Sequence, residues 1–510
     1  VQGPFFLCHK KTPSSSCLLI TINLILPFSE KIHPKNEELP RPALFAPTFV
    51  PQTKKNKAKM LNSIRNEKIL IIGFPAWEGD YLKSTVQLAS ELARENEVLY
   101  VEYPFTWKDV ATGMIGKGKA PWQRVIGKEQ RLRQLELANG ASINVLTLPP
   151  MVPVNFINNE MMYDALMLGN AKRAFKAIQS AMQSLGIEKP VVINAFNPFL
   201  GVFLARQFDE KALIYYCYDE IGAAKWAGKH GARLEYRLMR QADAVVTTSQ
   251  PLFESKMPHA HRSFLVKNGV DFDLFHQEPT PGKEQRSVKT IGYLGSLDER
   301  IDFDLLEYTI AKLPHRQFCF VGRVNSPEAG RLLQFPNVKI MGSQPASSLP
   351  GWVQQFDACM IPFLKNELTA GIYPLKINEY FAAGKPVVAT NFGDLRDFQH
   401  LIGIAETKEE YPVLLEYILS NNSSTLTSTR IAFARHNSWQ HRAAELGRAI
   451  NTVLLETRQT AMHTTSTWMP DNFNRWCTVS EPFFKNKHKE LSTQLRKKAD
   501  EAYMLAATMV

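Results

Sequence analysis

Residues 372–390 read Ile372-Tyr373-Pro374-Leu375-Lys376-Ile377-Asn378-Glu379-Tyr380-Phe381-Ala382-Ala383-Gly384-Lys385-Pro386-Val387-Val388-Ala389-Thr390. The order predicts a loop, a short helix, a glycine turn and a buried strand. Pro374 suits the first helical turn, where its missing N–H is not needed. Lys376 and Glu379 are three positions apart, so they share one face near the helix start. Gly384 is suited to ending the helix, and Pro386 to stopping its resumption. Val387-Val388-Ala389 then has the apolar character of a buried strand. A helix N-terminus carries unpaired N–H groups and partial positive charge, which favours phosphate. Lys376 adds a full charge there, and the Glu379 carboxylate can accept from both hydroxyls of a sugar diol. Together they predict a pocket for a nucleotide diphosphate. A plain helix-to-strand connection has the same local pattern, so the rest of the chain must decide.

The chain has 510 residues, enough for two or three domains. Its 45% apolar and 21% charged content is ordinary for a soluble globular protein. Cys8, Cys17, Cys217, Cys319, Cys359 and Cys477 are scattered without a C-x-x-C pair. That argues against a disulfide framework or a zinc site and fits a reducing compartment. The net charge of +11 is concentrated at the ends, with nine Lys/Arg against three Asp/Glu in residues 1–59. The middle is only mildly basic, which gives no argument for nucleic acid. The basic ends are compatible with contact to anionic lipid, although solvated tails are the plainer reading. No apolar run approaches the roughly 18 residues of a membrane span. Cys17–Pro27 is too short and has no A-x-A site after it, so it gives little support to a secretory signal. Residues 1–59 lack periodicity and precede Met60. They are read as a disordered or non-native N-terminal extension.

From Lys68 the chain alternates strands and helices. Strands are expected at 68–73, 97–102, 143–148, 191–194, 213–217 and 244–248. This predicts a parallel sheet with helices on both faces. The loop Phe74–Asp80 follows the first strand, at the end where such sheets bind ligands. Thr106–Gln123, with three glycines and several lysines, reads as a loop, either one that orders on acceptor binding or a plain surface loop. Glu278-Pro279-Thr280-Pro281-Gly282-Lys283 has the composition of a linker. Beyond it strands resume at 290–294, 318–321, 338–341, 358–361 and 387–389, and a last helix is expected over 439–456. The expected domains are 60–277 and 287–458, with linker 278–286 and a tail from 459 whose role is open. The fold class is α/β, with two Rossmann-like domains facing a cleft.

The 372–390 stretch resembles the donor-binding signature of retaining GT-B glycosyltransferases, close to glycosyltransferase family 4. The shared pattern is Pro-x-Lys-x-x-Glu-Tyr followed by small-x-Gly-x-Pro-Val. Asn268-Gly269-Val270-Asp271 with Phe275 resembles the turn that precedes the second domain in that family. The resemblance covers residues 66–456 and implies that Glu379 contacts the ribose of a nucleotide. Gly292, Gly295 and Ser296, at the first strand of the second domain, would bring backbone N–H groups to the diphosphate. Arg300 and Arg323 would add guanidinium charge, and Tyr373 would line the donor pocket. Lys376, Arg300 and Asp219 are the expected catalytic residues. Trp77, Glu78, Asp219 and Glu220 are expected on the acceptor side, and Asp219 and Glu220 equally suit helix capping. The implied reaction moves a sugar from a nucleotide-diphosphate sugar to a saccharide or lipid-linked acceptor of a bacterial surface polysaccharide. No cofactor or metal is expected. Asp271-Phe272-Asp273 and Asp302-Phe303-Asp304 match D-x-D, but one lies in a turn and the other starts a helix, where acids favour the macrodipole. The expected setting is cytoplasmic, with peripheral contact at the inner face of a membrane left open.

The sequence departs from the family at three places. The backbone amides that usually cradle phosphate fall near Pro374-Leu375, and Pro374 has no N–H, which leaves the phosphate charge to Lys376. The glutamate usually found eight residues before the ribose-binding one is Gly371 here. Asn194-Ala195-Phe196-Asn197-Pro198 ends a first-domain strand where relatives often carry a histidine. Two other readings therefore stand: a non-catalytic nucleotide-binding homologue in an assembly complex, and a GT-B nucleotide-sugar epimerase.

Overall fold

The computed structural model describes residues 63–79, 83–223, 227–277 and 287–463, with backbone alone for 457–463. The expected extension 1–59, the linker 278–286 and the tail from 464 lie outside the described residues.

The first domain holds β1 (Lys68–Gly73), β2 (Glu97–Val101), β3 (Leu132–Glu136), β4 (Ser142–Leu146), β5 (Val191–Ala195), β6 (Ala212–Cys217), β7 (Ala244–Thr247) and β8 (Ser263–Leu265). They form one sheet in the order β3-β4-β2-β1-β5-β6-β7-β8. Only the β3–β4 pair is antiparallel. The strand order reverses between β1 and β5, so the crevice at their carboxyl ends is the ligand position of such a sheet. The central strands are apolar along their length because helices cover both faces.

The second domain holds β9 (Thr290–Leu294), β10 (Gln317–Val321), β11 (Val338–Ile340), β12 (Ala358–Ile361), β13 (Val387–Thr390) and β14 (Gly403–Ala405). All pairs are parallel, in the order β11-β10-β9-β12-β13-β14. Here the order reverses between β9 and β12. The helix Leu375–Ala382 then delivers the chain to β13, with Gly384 in the left-handed region at φ 70°.

The chain returns to the first domain at its end. Val270 and Ser438 form a parallel bridge, and the Trp439 N–H donates to the Val270 carbonyl at 3.0 Å. The helix Trp439–His463 then buries Trp439, Leu446, Ile450 and Val453 with the strands of the first sheet.

Three short strands escape the sequence reading. β3 alternates exposed and half-buried residues, and β8 and β14 span three residues each. The Thr106–Gln123 segment is not a plain loop. It contains the helix Trp107–Met114, opened by a reciprocal Thr106–Asp109 capping box, and Trp122 starts a second short helix. The intervening glycines masked that signal.

Gly292 lies inside β9, not at a loop. A Cβ built on it would meet the Phe356 ring at 2.1 Å. A Cβ on Gly371 would meet nothing closer than the Leu252 side chain at 3.6 Å. Gly292→Ala is therefore expected to cost about 1–3 kcal/mol by overpacking, whereas Gly371→Ala stays close to the parent. Urea unfolding of the two variants checks the contrast.

Candidate functional site

The site begins where β9 and β10 end side by side. Gly295 follows β9, and a Cβ there would meet Lys376 Cε at 2.3 Å and the Tyr293 hydroxyl at 2.8 Å. Its missing side chain is what lets Lys376 cross the strand end. Gly322 follows β10, and a Cβ there would lie 2.0 Å from the Gly295 carbonyl oxygen. Arg323 comes next and is half-buried, its carbonyl accepting from the Leu297 N–H at 2.8 Å. The Ser296 carbonyl accepts from the Tyr293 hydroxyl at 3.2 Å.

Lys376 and Glu379 stand one turn apart on the Leu375–Ala382 helix, both half-buried. Neither Lys376 Nζ nor the Glu379 carboxylate has a hydrogen-bond or ion-pair partner among the described residues. Burial, and then the charge of Arg300, lowers the Lys376 pKa. Burial raises that of Glu379, with Lys376 opposing and Asp271 adding to the rise. Two charged groups left without partners in a partly desolvated place are costly to the fold unless a ligand uses them.

Arg300 donates to Asp298 through Nε at 2.9 Å and Nη2 at 2.6 Å, and its guanidinium lies 5.5 Å from the Phe363 ring centroid. Burial works to raise the Asp298 carboxyl, but this fork outweighs it and holds the group below its usual range. Burial opposes the Arg300 charge, and the same fork more than restores it. Nη1 is outside the fork.

Across the cleft, Asp219 and Glu220 follow β6. Burial raises the Asp219 pKa, while the Glu220 N–H and the charge of Arg300 pull it back. Arg300 is thus the second-domain charge that Asp219 feels. Glu220 is anchored from behind: Lys256 Nζ donates to both of its carboxylate oxygens, at 2.8 and 2.9 Å, and to Glu235 Oε2 at 2.9 Å. Glu235 Oε1 accepts from the Tyr215 hydroxyl at 2.7 Å. Lys256 and Glu235 are almost fully buried. A Cβ on Gly371 would lie 3.9 Å from Glu220 Cβ.

The two domains touch directly beside this point. The Ser249 hydroxyl donates to the Gly371 carbonyl at 2.6 Å, and the Gln250 N–H donates to Asp394 Oδ2 at 2.9 Å. Lys267 pairs with Asp397 at 2.7 Å, and Asn268 Nδ2 donates to the Tyr373 carbonyl at 3.3 Å.

The predicted residues thus fall into three groups. Gly295, Arg300, Lys376, Glu379 and Asp219 are linked through contact or charge, with Ser296, Arg323 and Glu220 on adjoining segments. Trp77 and Glu78 are held within the first domain: Trp77 packs edge-on to Tyr100, with its backbone N–H on Glu102, and Glu78 pairs with Arg133 and Arg124. Gly292 and Tyr373 are corrected to packing residues. Gly292 faces Phe356, and the buried Tyr373 ring sits against Phe398 with its hydroxyl donating to Asp397 at 3.3 Å. Lys256 and Asp394 were not foreseen, and Asp298, Glu235 and Ser249 were not given site roles from the sequence. The D-x-D acids Asp271 and Asp302 are N-caps of short helices, accepting from the Leu274 and Leu305 N–H groups. Among the described residues no group of three or more His, Cys, Asp or Glu is arranged to hold a metal ion.

Comparison with known proteins agrees with this architecture. Residues 288–408, within the second domain, match the family model described as glycosyl transferases group 1. The chain is 26% identical over 266 residues to the Bacillus subtilis protein named "Putative teichuronic acid biosynthesis glycosyltransferase TuaH". That alignment spans 46% of this chain and 66% of the relative. Among solved structures, the chain resembles sucrose-phosphate synthase from Thermosynechococcus elongatus, with TM-score 0.57 and 16% identity over 77% of this chain and 100% of that one. It also resembles Anabaena Alr3699/HepE, solved with UDP and glucose, with TM-score 0.53 and 14% identity over 76% of this chain and 100% of that one. The fold is GT-B.

Two outcomes follow from the charges. Lys256→Met leaves Glu235 buried without its cation, an arrangement that costs about 3–5 kcal/mol. Adding Glu235→Gln is expected to recover part of that loss, as read by chemical denaturation. For Glu379, the folded pKa is raised above its ordinary value of 4.5. The ionised carboxylate therefore weakens the fold, and the parent gains stability as pH falls from the raised value through 4.5. Glu379→Gln is expected to be the more stable chain at neutral pH, with the gap closing below 4.5. Unfolding midpoints across that pH range measure it.

Proposed function

We infer that the chain transfers a sugar from a nucleotide-diphosphate sugar to a saccharide or lipid-linked acceptor in the making of a surface polysaccharide. The observation that carries this reading is the unpartnered Lys376–Glu379 pair behind Gly295, in a glycosyl transferases group 1 domain. Lys376 and Arg300 Nη1 supply positive charge for the diphosphate, and the Gly295–Ser296 backbone gives close approach. Glu379 is the acceptor for the ribose hydroxyls. As the sugar–phosphate bond breaks, negative charge grows on the leaving oxygen. Fixed cations at that point stabilise the transition state more than the ground state. Asp219, whose carboxyl feels the charge of Arg300, is the group proposed to orient an acceptor hydroxyl.

The finer reading is a retaining, metal-independent hexosyl transfer by an enzyme close to family 4, on the cytoplasmic side. The UDP bound to the Anabaena protein makes a UDP-sugar the first donor to test. Gly371 lacks the carboxylate of the family pattern. Glu220 approaches that place from the acceptor domain, its Cβ 3.9 Å from a Cβ built on Gly371 and its carboxylate held by Lys256. Gly371 is also the feature that favours the second reading, a nucleotide-binding homologue without turnover.

A thermal-shift series with UDP, GDP, ADP and their sugars tests the donor site. One nucleotide is expected to stabilise the parent, by about 2.7 kcal/mol at a hundredfold excess over its Kd. Lys376→Ala and Glu379→Ala are each expected to weaken that binding roughly tenfold or more, about 1.4 kcal/mol. Stabilisation by no nucleotide in a folded sample sinks the reading. Binding without nucleotide release across saccharide and lipid-linked acceptors selects the non-catalytic alternative.

A further inference from the structure

The helix Trp107–Met114 is amphipathic the wrong way round for a globular core. Trp107, Ala111 and Met114 recur at i, i+4 and i+7, with Ile115 one residue on, so they form one apolar stripe. All of them face solvent: Trp107 is 53% exposed, Met114 58% and Ile115 64%. Only Val110 of this helix is buried, in a small satellite cluster with Phe105 and Val125, apart from the main cores.

The surroundings of the stripe are basic. Lys108, Lys117 and Lys119 are exposed on the same segment. Asp109 is the sole acid between residues 103 and 128, and its carboxylate is turned to Thr106 in the capping box. The helix is held to the domain at its start, where Thr106 bridges Met151 and the Trp107 N–H donates to the Met151 carbonyl at 3.0 Å. Beyond Met151 the chain exposes Phe156 and Met161 as well. The segment follows β2, at the carboxyl edge of the first sheet, which is the ligand-binding edge.

We propose that this helix face is a membrane-docking surface, which seats the first domain on a bilayer containing anionic lipid. A tryptophan, a methionine and an isoleucine on one face, flanked by lysines, match an interfacial helix that lies in the headgroup plane. The lysines decide between occupants: a neutral apolar partner gains nothing from them, whereas an anionic surface attracts each one. No helix among the described residues is long and apolar enough to cross a membrane. The inference is independent of the transfer reading, because it uses none of the donor-site residues.

Sedimentation of the full chain with vesicles tests it. The parent is expected to sediment with vesicles containing phosphatidylglycerol, and to bind pure phosphatidylcholine far less. A Trp107→Ser, Met114→Ser, Ile115→Ser variant keeps the basic termini and is expected to lose roughly tenfold or more of that partitioning. A Lys108→Gln, Lys117→Gln, Lys119→Gln variant is expected to lose the preference for phosphatidylglycerol and its salt sensitivity. Circular dichroism and nucleotide thermal shift should match the parent in both variants, since the altered side chains are exposed. A parent that ignores the vesicles overturns the proposal, whether a second copy or the chain's own termini cover the face. Equal binding by the triple serine variant also overturns it and assigns the lipid contact to another part of the chain.

Discussion

The cleft exists because the chain crosses between its two domains twice at one place. The first crossing follows Asn268–Asp271, and the second enters the helix that starts at Trp439. The Val270–Ser438 bridge fastens them together, and Gly269 is what allows it, since a Cβ there would sit 2.9 Å from the Trp439 nitrogen. Asn268 then reaches the Tyr373 carbonyl, and Lys267 reaches Asp397. The segment that leads into the Lys376–Glu379 helix is thus tied to the hinge itself. The Lys376–Glu379 helix and the arrangement of the domains share one knot of contacts.

Around this knot the charges divide into two kinds. Glu235, Lys256 and Glu220 form a closed network in which every ion has a partner, and their job is to hold position. Lys376 and Glu379 are left without partners at half-buried positions. The fold tolerates that cost because the stability of a domain is a sum over many contacts, and a binding site is where local rules are commonly broken. Arg300 belongs to both kinds, with two nitrogens committed to Asp298 and one left over.

Much of the fold was legible because parallel strands buried on both faces are continuous apolar runs. Lys68–Gly73, Val191–Ala195 and Val387–Thr390 show that signal without ambiguity. β3, β8 and β14 did not, since half-exposed or three-residue strands carry no periodicity to detect. The Lys376–Glu379 pair could be placed from helix spacing alone. Gly292 and Tyr373 misled because a glycine before a loop and a tyrosine beside a motif look the same whether they meet a ligand or Phe356 and Asp397. The Lys256 network was invisible for a different reason: its members are separated by tertiary packing, and no local pattern joins residues 215, 220, 235 and 256.

The glycines at the ends of β9 and β10 also carry a consequence for how such a sequence can change over time. Gly322 presses on the carbonyl of Gly295, and Gly295 presses on the stem of Lys376. Each position is closed to side chains by the backbone or side chain of the next. A substitution at 322 is admissible only if the 295 backbone moves, and a substitution at 295 only if Lys376 is rerouted. The two glycines, far apart in the chain, are thus each held by a different neighbour, and a change at either has to be accompanied by a change in that neighbour's path.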